Sequence, residues 1–541
     1  MSDLASTAPA PRGRGAVRAP ATSGWAERLQ APIAGAVAVL AGLGLSELVA
    51  GFLSAPSLLA SVGEWIIDHQ PPGAKDLVVS LFGTNDKLAF ELLIVAVAVV
   101  LGGVLGNLAV RRSEGLAAGV FIAFCALGFL AATQTSPGDP TPPLIVTIVA
   151  AVAGTQVLAW LLAAGRAPAR AETGAGASSR VRMASPDWSR RGFLLQAGGI
   201  AVASSVAGVV GRRLLDGPAA SGGALPSLPR PTTVATIPAG ADLGQAGVTP
   251  LVMPNESFYR IDTALIAPSV DAATWRLRVH GMVDHEVTLS YADLGELPLI
   301  EQYVTIACVS NEVGGNLVGN AKWTGVKLRD VLAMAGGQPG ATQLVGRSVD
   351  GWTAGMPTAW VMDPAREPMI ALKMNDEPLP RNHGFPARLI VPGLYGYVSA
   401  TKWLSDLELT TLEAFDGYWV PLGWSKEGPI LTQSRIDTPQ TGSNVPAGRV
   451  PVAGIAWAPD RGVRAVEVSV DDGPWQPAQL SVPISDTTWV QWLFAWDAAA
   501  AGRGRHRISV RATDGTGVVQ TDEVTPPAPD GARGHHTIQV N

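Results

Sequence analysis

Residues 374–404 read MNDEPLPRNHGFPARLIVPGLYGYVSATKWL, and one charged residue stands out among them. Arg388 interrupts apolar sequence directly before the residues LIVPG. An unpaired charge in apolar surroundings is costly, so a chain normally gives such a residue a specific partner or keeps it on the surface. The apolar neighbours therefore make a simple solvated position a weak explanation of Arg388.

A second stretch, residues 304–316, reads VTIACVSNEVGGN and contains the only cysteine in the last three-quarters of the chain. A disulfide framework is therefore excluded for that part of the chain. No cysteine-protease signature surrounds the nearby histidines, and the clustered ligands of a zinc site are absent from the sequence. Two interpretations of Cys308 stay open on the residues alone. One is a single soft ligand to a metal that a cofactor also holds, and the other is a small buried apolar residue.

The composition indicates that part of the chain lies in a membrane. Hydrophobic residues make up 47% of the sequence and charged residues only 16%, and the excess is confined to the first two hundred residues. Apolar runs of about 20 residues are long enough to cross ~30 Å of hydrocarbon. The pattern predicts an α-helical membrane region of about five spans. Four lie within residues 29–166, at about 31–53, 88–110, 116–134 and 143–165, and a fifth helix covers residues 192–213.

Arginines alternate between the loops in a way that predicts orientation, because short cytoplasmic loops are enriched in Lys and Arg. They precede the first run, follow the second and separate the fourth from the fifth. We therefore expect a cytoplasmic tail at residues 1–28 and a cytoplasmic loop at residues 167–191. Everything after Arg213 is expected outside the cytoplasm, which makes the chain a multi-pass protein of the cell membrane.

The residues SRRGFLL, from Ser189 to Leu195, open the fifth run. They resemble an internal twin-arginine export signal, which would carry a folded, cofactor-loaded domain across the membrane. The alternative is that Arg190 and Arg191 only anchor the last helix on the cytoplasmic side. Both interpretations remain open on the sequence.

The exported half divides into three parts. Residues 214–248 are rich in Gly, Ala, Pro, Ser and Thr, which predicts a linker. Residues 249–425 mix short β-type runs with helical ones, such as residues 324–335, and predict an α+β domain. Residues 426–541 alternate apolar and polar positions between turns, as at 466–470, 490–496 and 508–512, and predict an immunoglobulin-like β-sandwich. No basic stripe accompanies the net charge of -6, which argues against nucleic acid as a partner.

Four segments resemble the sulfite oxidase family of molybdopterin enzymes. They are PNESFYRID from Pro254, TIACVSNEVGG from Thr305, AKWTGVKLRDVL from Ala321, and the opening stretch from Met374. The resemblance covers roughly residues 245–541 and does not reach the spans. It implies a sulfite-oxidase-like domain that binds molybdopterin, the molybdenum cofactor. The β-sandwich looks like the family's dimerisation domain, so the resemblance also raises the expectation of a homodimer.

The resemblance implies roles for individual residues. Cys308 would supply the one protein sulfur to molybdenum, where the charge of the metal deprotonates the thiol. Arg388 and Lys402 would hold the phosphate of the pterin, because phosphate favours cationic donors. His383 would donate to the same cofactor. The other expected cofactor-binding residues are Asn255, Phe258, Tyr259, Ser348 and Ser399.

The sequence departs from the family where sulfite would bind. Sulfite oxidases carry arginines just before the Asn-containing segment and just after the metal cysteine, whereas this chain has Pro254 and then Glu312 in those places. A carboxylate beside an oxo-metal centre repels a sulfite dianion. The family's exported bacterial branch, which resembles protein-methionine-sulfoxide reductases, also lacks these arginines. The resemblance therefore implies oxygen-atom transfer with a small-molecule or protein-bound S-oxide or N-oxide, and it disfavours sulfite.

Proton delivery and electron supply follow from the same resemblance. Glu312 or Tyr259 would act as the acid of the pocket, although either residue can instead have a structural hydrogen-bonding role. No haem-binding domain like that of the animal enzymes is recognisable, which implies a separate redox carrier. Two other hypotheses stay open: a cofactor-free cell-surface binding scaffold or sensor built on the same folds, and a transporter that the exported domain regulates.

Overall fold

The computed structural model describes residues 26–69, 86–135, 139–166, 187–216, 225–502 and 504–541. Six helices precede residue 217 in these ranges, and five of them are long and apolar enough to cross a membrane, as predicted. The other, α2, has only 11 residues and begins at Leu58, directly after Ser57, whose hydroxyl accepts from the Ala60 N–H. An apolar run of that length is too short to be recognised as a span. The six are α1 Ala26–Leu53, α2 Leu58–Asp68, α3 Asp86–Arg111, α4 Glu114–Thr135, α5 Thr141–Arg166 and α6 Asp187–Asp216.

Helix α1 is the centre of the bundle and contacts α3, α5 and α6. Small residues let these helices approach closely. A Cβ added to Gly35 of α1, for example, would lie 2.6 Å from the backbone nitrogen of Gly106 in α3. Near one end of the bundle, Arg212 of α6 forms an ion pair with Glu91 of α3 and lies 3.8 Å from Glu47 of α1. Charged groups thus connect three helices at that end.

Helix α6 is longer than the predicted fifth span. It begins at Asp187, directly after Pro186, so the backbone of SRRGFLL is the first part of the same helix. Proline is well tolerated beside a helix N-terminus, and no proline interrupts the residues that follow. The predicted tail over residues 1–25, the loop over residues 167–186 and residues 217–224 of the predicted linker lie outside the described residues.

The described part of the predicted linker is bound to the domains that follow it. The Thr232 N–H donates to the Leu299 carbonyl at 2.7 Å, and the Glu301 N–H donates to the Thr233 carbonyl at 2.8 Å. Further along, the Val482 N–H donates to the Gly240 carbonyl at 2.9 Å. Residues 232–240 are therefore held against both following domains by backbone hydrogen bonds. Composition does not reveal this, because the pairing uses backbone groups that every residue type carries.

Residues 249–425, the central domain, contain two sheets of five strands each around an apolar core. One sheet has the order β2-β1-β10-β5-β6, and in the other the path β3-β4-β7-β8 is joined by β9 on β7. The domain is thus α+β, as predicted. Its strands are β1 Arg276–Gly281, β2 Val287–Ser290, β3 Leu299–Ala307, β4 Val318–Lys327, β5 Gln343–Ser348, β6 Thr353–Pro357, β7 Met369–Met374, β8 Glu377–Pro378, β9 Arg388–Ile390 and β10 Leu404–Thr410. Its helices are α7 Tyr291–Glu296, α8 Leu328–Ala335, α9 Thr358–Val361 and α10 Gly396–Ser399.

The predicted helix at residues 324–335 is wrong over its first four residues. Residues 324–327 belong to β4, which pairs with β7 as far as Lys327 opposite Met369. Pairing between strands overrides the helical spacing of the apolar residues there, and helix α8 begins at Leu328.

The C-terminal domain has two four-stranded antiparallel sheets, with orders β11-β12-β16-β15 and β14-β13-β17-β18. Side chains from both sheets form one apolar core, and the three predicted alternating runs correspond to β13, β16 and β17. The finer prediction of an immunoglobulin-like topology stays a prediction. The elements are β11 Gln433–Thr438, β12 Arg449–Trp457, β13 Val463–Val470, β14 Gln476–Pro477, β15 Gln479–Leu480, β16 Val490–Asp497, α11 Ala498–Ala501, β17 His506–Asp514 and β18 His536–Val540.

The central and C-terminal domains share part of their core. The Thr305 N–H of β3 donates to the Thr487 carbonyl at 2.9 Å, and the Trp489 N–H donates to the Thr305 hydroxyl at 2.8 Å. The Trp489 indole N–H donates to the Leu251 carbonyl at 2.9 Å. Trp489 is fully buried, and together with Trp457 it packs in the apolar core of the central domain. This joint fixes strand β3, whose end carries Cys308.

Candidate active site

Cys308 directly follows β3, in the loop that leads to β4. Its N–H donates to the Leu317 carbonyl at 2.9 Å, which closes the loop. The Asn311 side chain accepts from the Leu317 N–H at 2.8 Å, and the Asn311 N–H donates to the Cys308 carbonyl at 3.1 Å. The Cys308 thiol is buried and its Sγ lies 2.9 Å from the Ser310 hydroxyl. The loop therefore holds the sulfur in a defined position at the end of the strand.

Two phenols interact electrostatically with Cys308. Burial raises the pKa of Tyr259 far above its usual value, the negative charge of Cys308 raises it further, and Arg388 partly opposes the rise. Burial also raises the pKa of Tyr395 to about 12, with a further contribution from Cys308. Both phenols are therefore protonated at neutral pH. Sequence reasoning predicted Tyr259 but missed Tyr395, which lies inside the opening stretch.

His383 connects the PNESFYRID segment to the opening stretch. Its Nε2 lies 2.8 Å from the Asn255 carbonyl oxygen, which can only accept, so Nε2 carries the hydrogen of the neutral ring. Burial lowers the pKa of His383 to about 4, and the bond to Asn255 only partly opposes this. The ring meets Phe258 edge to face, with the centroids 5.6 Å apart. His383 is therefore a neutral, fixed imidazole next to the predicted pterin segment.

The predicted cofactor contacts in PNESFYRID differ in what their side chains do. Phe258 is buried and stacks on Tyr259, with the ring centroids 5.3 Å apart. The Asn255 amide instead faces the turn after β7. It donates to Glu377 at 3.2 Å and accepts from Asn375 at 2.8 Å. A turn holds the Asn255 side chain. The part of Asn255 that is directed at the site is therefore its backbone carbonyl, which is bound to His383.

Arg388 is buried, as its apolar neighbours predict. One terminal nitrogen donates to the His383 carbonyl at 3.1 Å, and the guanidinium lies over Trp323 with Cζ 5.0 Å from the ring centroid. Its Nε–H is buried without a hydrogen-bond acceptor in the described part of the chain, and no carboxylate of that part forms an ion pair with it. Burial lowers the pKa of Arg388 to about 10, so the group is still a cation at neutral pH.

Lys402 lies in a cluster of cations around one carboxylate, that of Asp262. Its Nζ lies 2.6 Å from Asp262 Oδ2, which Arg260 also contacts at 2.9 Å, while Lys87 of helix α3 contacts Oδ1 at 2.5 Å. Burial alone raises the pKa of Asp262, but Lys402, Lys87 and Arg260 together lower it well below its usual range. Burial lowers the pKa of Lys402 to about 8 despite its pairing with Asp262. Sequence reasoning missed Asp262, because two of its partners, Lys402 and Lys87, are far away along the chain.

The remaining predicted residues are Ser348, Ser399 and Glu312, and their side chains have different surroundings. Ser348 is buried at the end of β5, beside the Lys402 loop, because the Val349 N–H donates to the Trp403 carbonyl at 2.9 Å. The Ser399 hydroxyl donates to the carbonyls of Leu394 and Tyr395 at 3.2 and 3.0 Å, so it serves helix α10. The Glu312 side chain is exposed, although its residue belongs to the Cys308 loop.

These residues fit an anionic cofactor that brings its own metal. Lys402, Arg260 and Lys87 surround the ionised carboxylate of Asp262, and the charge of Arg388 acts on Lys402. The positive charges outnumber that carboxylate, which favours a phosphate. The Arg388 Nε–H is a buried donor that no described residue satisfies, which suits an anionic ligand. No group of three His, Cys, Asp or Glu side chains able to hold a metal occurs among the described residues. A metal beside Cys308 would therefore depend on a cofactor for its other ligands.

The α+β domain combines one thiol, two phenols and a cationic pocket. Comparisons with known proteins show that it is similar to molybdopterin-binding domains. Residues 264–419 match the family described as "Oxidoreductase molybdopterin binding domain". The chain is 32% identical to human mitochondrial sulfite oxidase over 322 residues, which cover 51% of this chain and 58% of that protein. It is 33% identical to the uncharacterized oxidoreductase YuiH of Bacillus subtilis over 189 residues, which cover 34% of this chain and 91% of that protein.

The chain belongs to the sulfite oxidase family of molybdopterin-binding oxidoreductases, as predicted. It spans less than two thirds of the mammalian sulfite oxidases that it matches. Among solved structures, the sulfane dehydrogenase SoxCD of Paracoccus pantotrophus aligns with a TM-score of 0.47 at 20% identity, covering 54% of this chain and 82% of that one.

Proposed function

We propose that the protein is a membrane-anchored molybdenum enzyme that catalyses oxygen-atom transfer, with an S-oxide or N-oxide as substrate. The observation that carries the proposal is the buried Arg388, whose Nε–H has no acceptor among the described residues and whose charge, like that of Cys308, acts on Tyr259. When bound, the cofactor supplies a molybdenum centre that exchanges two electrons and an oxygen atom with the substrate. Cys308 would hold the metal, and Arg388 and Lys402 would hold the phosphate of the pterin.

The remaining residues of the site would orient the cofactor and the substrate. His383 is neutral and fixed, which suits a hydrogen bond to the pterin, and Phe258 closes the wall behind it. Tyr259 stays protonated and is half-buried, so we assign its phenol the role of a hydrogen-bond donor to the reacting oxygen. A phenol with so high a pKa does not readily release its proton, so we do not assign it the role of the acid. Glu312 is exposed on the same loop as Cys308, and there its carboxylate would disfavour an approaching dianion such as sulfite.

We assign the catalytic side to the outside of the cytoplasm. The bundle end that contacts the central domain carries Lys87, at the start of α3, and the end of α6. Arg111 and Arg112 lie at the far end of α3 and suit a cytoplasmic surface. The proposal also includes export of the loaded domain by the SRRGFLL signal and electron exchange with a separate redox carrier. It further includes dimerisation through an immunoglobulin-like C-terminal domain.

The test uses full-length protein from a host that makes molybdopterin. We expect molybdenum and pterin in equal amounts, turnover with an S-oxide or N-oxide, and little turnover with sulfite. Cys308→Ser should keep the fold and abolish turnover, while Cys125→Ser, in span α4, should leave turnover unchanged. Absence of molybdenum would contradict the proposal and favour a cofactor-free scaffold. Full turnover by Cys308→Ser would contradict the role assigned to the thiol.

A further inference from the structure

Residues 260–268, RIDTALIAP, connect the candidate active site to the membrane bundle, and we call them the bridging segment. They continue directly from Phe258 and Tyr259 at the site. At their other end, Ile266 packs against an apolar cluster of the bundle. One short piece of chain therefore contacts both the site and the helices.

Polar contacts fix the bridging segment on the bundle. The Leu265 N–H donates to the Glu64 carboxylate of α2 at 2.9 Å, and Lys87 donates to the Ala264 carbonyl at 2.7 Å. Arg381, two residues before His383, donates to the carbonyls of Ala267 and of Leu215 at the end of α6. Helices α2, α3 and α6 thus all bind this face of the central domain.

Asp262 divides its two carboxylate oxygens between the bundle and the site. Oδ1 accepts from Lys87 of the bundle, and Oδ2 accepts from Lys402 of the site. The Asp262 side chain is only 4% exposed, so water screens these charges weakly. Without Lys87, the carboxylate would hold Lys402 more strongly and would repel a phosphate. Arg260 also contacts Oδ2, and with Lys87 in place a further cation, from the membrane side, compensates the negative charge of Asp262.

We propose that the membrane bundle forms part of the cofactor pocket, with Lys87 as a positioning residue that acts through Asp262 to leave Lys402 available for the phosphate of the cofactor. The proposal rests on the cofactor named under the proposed function. Coupling between two binding events is reciprocal. Cofactor loading and docking of the bundle on the central domain therefore favour each other, which gives the spans a role beyond that of an anchor.

The test compares Lys87→Gln and Lys87→Arg with a matched control, Lys327→Gln. Lys327 also forms an ion pair, with Glu367 at 2.7 Å, and its side chain is similarly exposed at 27% against 34% for Lys87. Full-length protein in detergent is prepared with cofactor and, from a host unable to make molybdopterin, without it. Two quantities are measured for each variant: the rate at which molybdenum is lost on dialysis, and the difference in Tm between the loaded and cofactor-free forms.

For Lys87→Gln we expect molybdenum loss about three- to tenfold faster than for the unsubstituted protein. We also expect a smaller difference in Tm between the two forms. Lys87→Arg should restore both values, and Lys327→Gln should change neither. If Lys87 had a purely structural role, Lys87→Gln would lower both Tm values equally and would leave their difference and the rate of molybdenum loss unchanged. That result would overturn the inference about Lys87 but not the proposed function. If the unsubstituted protein bound no molybdenum, the proposed function would fail together with it.

Discussion

The guanidinium of Arg388 lies over the indole of Trp323, with Cζ 5.0 Å from the ring centroid, in a place where no described carboxylate pairs with it. A cation can be held over an aromatic ring, but the ring does not replace an anion. The cofactor-free chain thus stores a buried charge whose partner the cofactor would supply.

Arg388→Met should separate stability from cofactor binding. Truncating one member of a buried charge pair costs about 2–5 kcal/mol of binding, so we expect molybdenum content to fall at least tenfold. The cofactor-free variant should be as stable as the unsubstituted protein or more so, because a buried unpaired charge is gone. Metal analysis and thermal unfolding measure the two effects. Arg278→Met, at an exposed pair with Glu286, is the control and should retain the metal. Normal molybdenum content in Arg388→Met would contradict the assigned role.

Cofactor retention should depend on pH through Lys402. Burial lowers the pKa of its ammonium from 10.5 to about 8, so the charge that attracts phosphate is present below pH 8 and lost above it. Bound phosphate favours the charged form, hence retention should weaken as the pH rises through about 8. Dialysis between about pH 7 and pH 9, followed by metal analysis, measures this. Lys402→Arg should move the loss to higher pH, and an identical profile for that variant would refute the explanation.

His383 should make the fold sensitive to acid. Its pKa is about 4 when folded against 6.5 for the exposed ring, so the unfolded state binds the proton more readily. His383 therefore contributes about 3 kcal/mol to the free energy of unfolding above pH 6.5. This contribution is lost as the pH falls towards 4. His383→Gln should reduce the loss of stability over that range in denaturant titrations. His285→Gln, at an exposed position, is the matched control. Equal acid sensitivity in both variants would disprove the role of His383.

A single methyl group at Gly319 should disturb the wall behind His383. The Cβ of Gly319→Ala would lie 2.6 Å from the Phe258 ring, which is confined by Tyr259 and His383. Overpacking of this kind costs about 1–3 kcal/mol, so we expect a lower Tm and reduced molybdenum content. In Gly396→Ala the new Cβ would be 3.6 Å from its nearest neighbour, which is an ordinary contact. The Tm and the molybdenum content of this variant should therefore be unchanged. If the two variants behaved alike, the packing argument would be wrong.

Much of the fold is predictable because apolar patterning dominates it. The five long apolar helices and the alternating runs of β13, β16 and β17 are confirmed, since a membrane span and a half-buried strand each require such patterns. The family was recognisable from short motifs around Cys308 and Arg388. The burial of Arg388 followed from its apolar neighbours alone.

The features that the sequence did not predict depend on contacts between residues that are far apart along the chain. The linker lies on the edge of β3 through backbone groups, which leave no signal in composition. Asp262 gains its importance from Lys402 and Lys87, 140 and 175 residues away. The exposure of Glu312 and the turn that holds the Asn255 side chain likewise follow from tertiary packing, which a single sequence does not specify.

The joint between the central and C-terminal domains has a consequence for how this protein evolves. Trp489 belongs to one domain in sequence and to the other in packing, and its indole N–H is bound to Leu251 across 238 residues of chain. A recombination event with its breakpoint between the two domains would exchange half of a shared core. Descendants of such a crossover would retain a working protein only if they inherited both halves together, so the pair behaves as one heritable module.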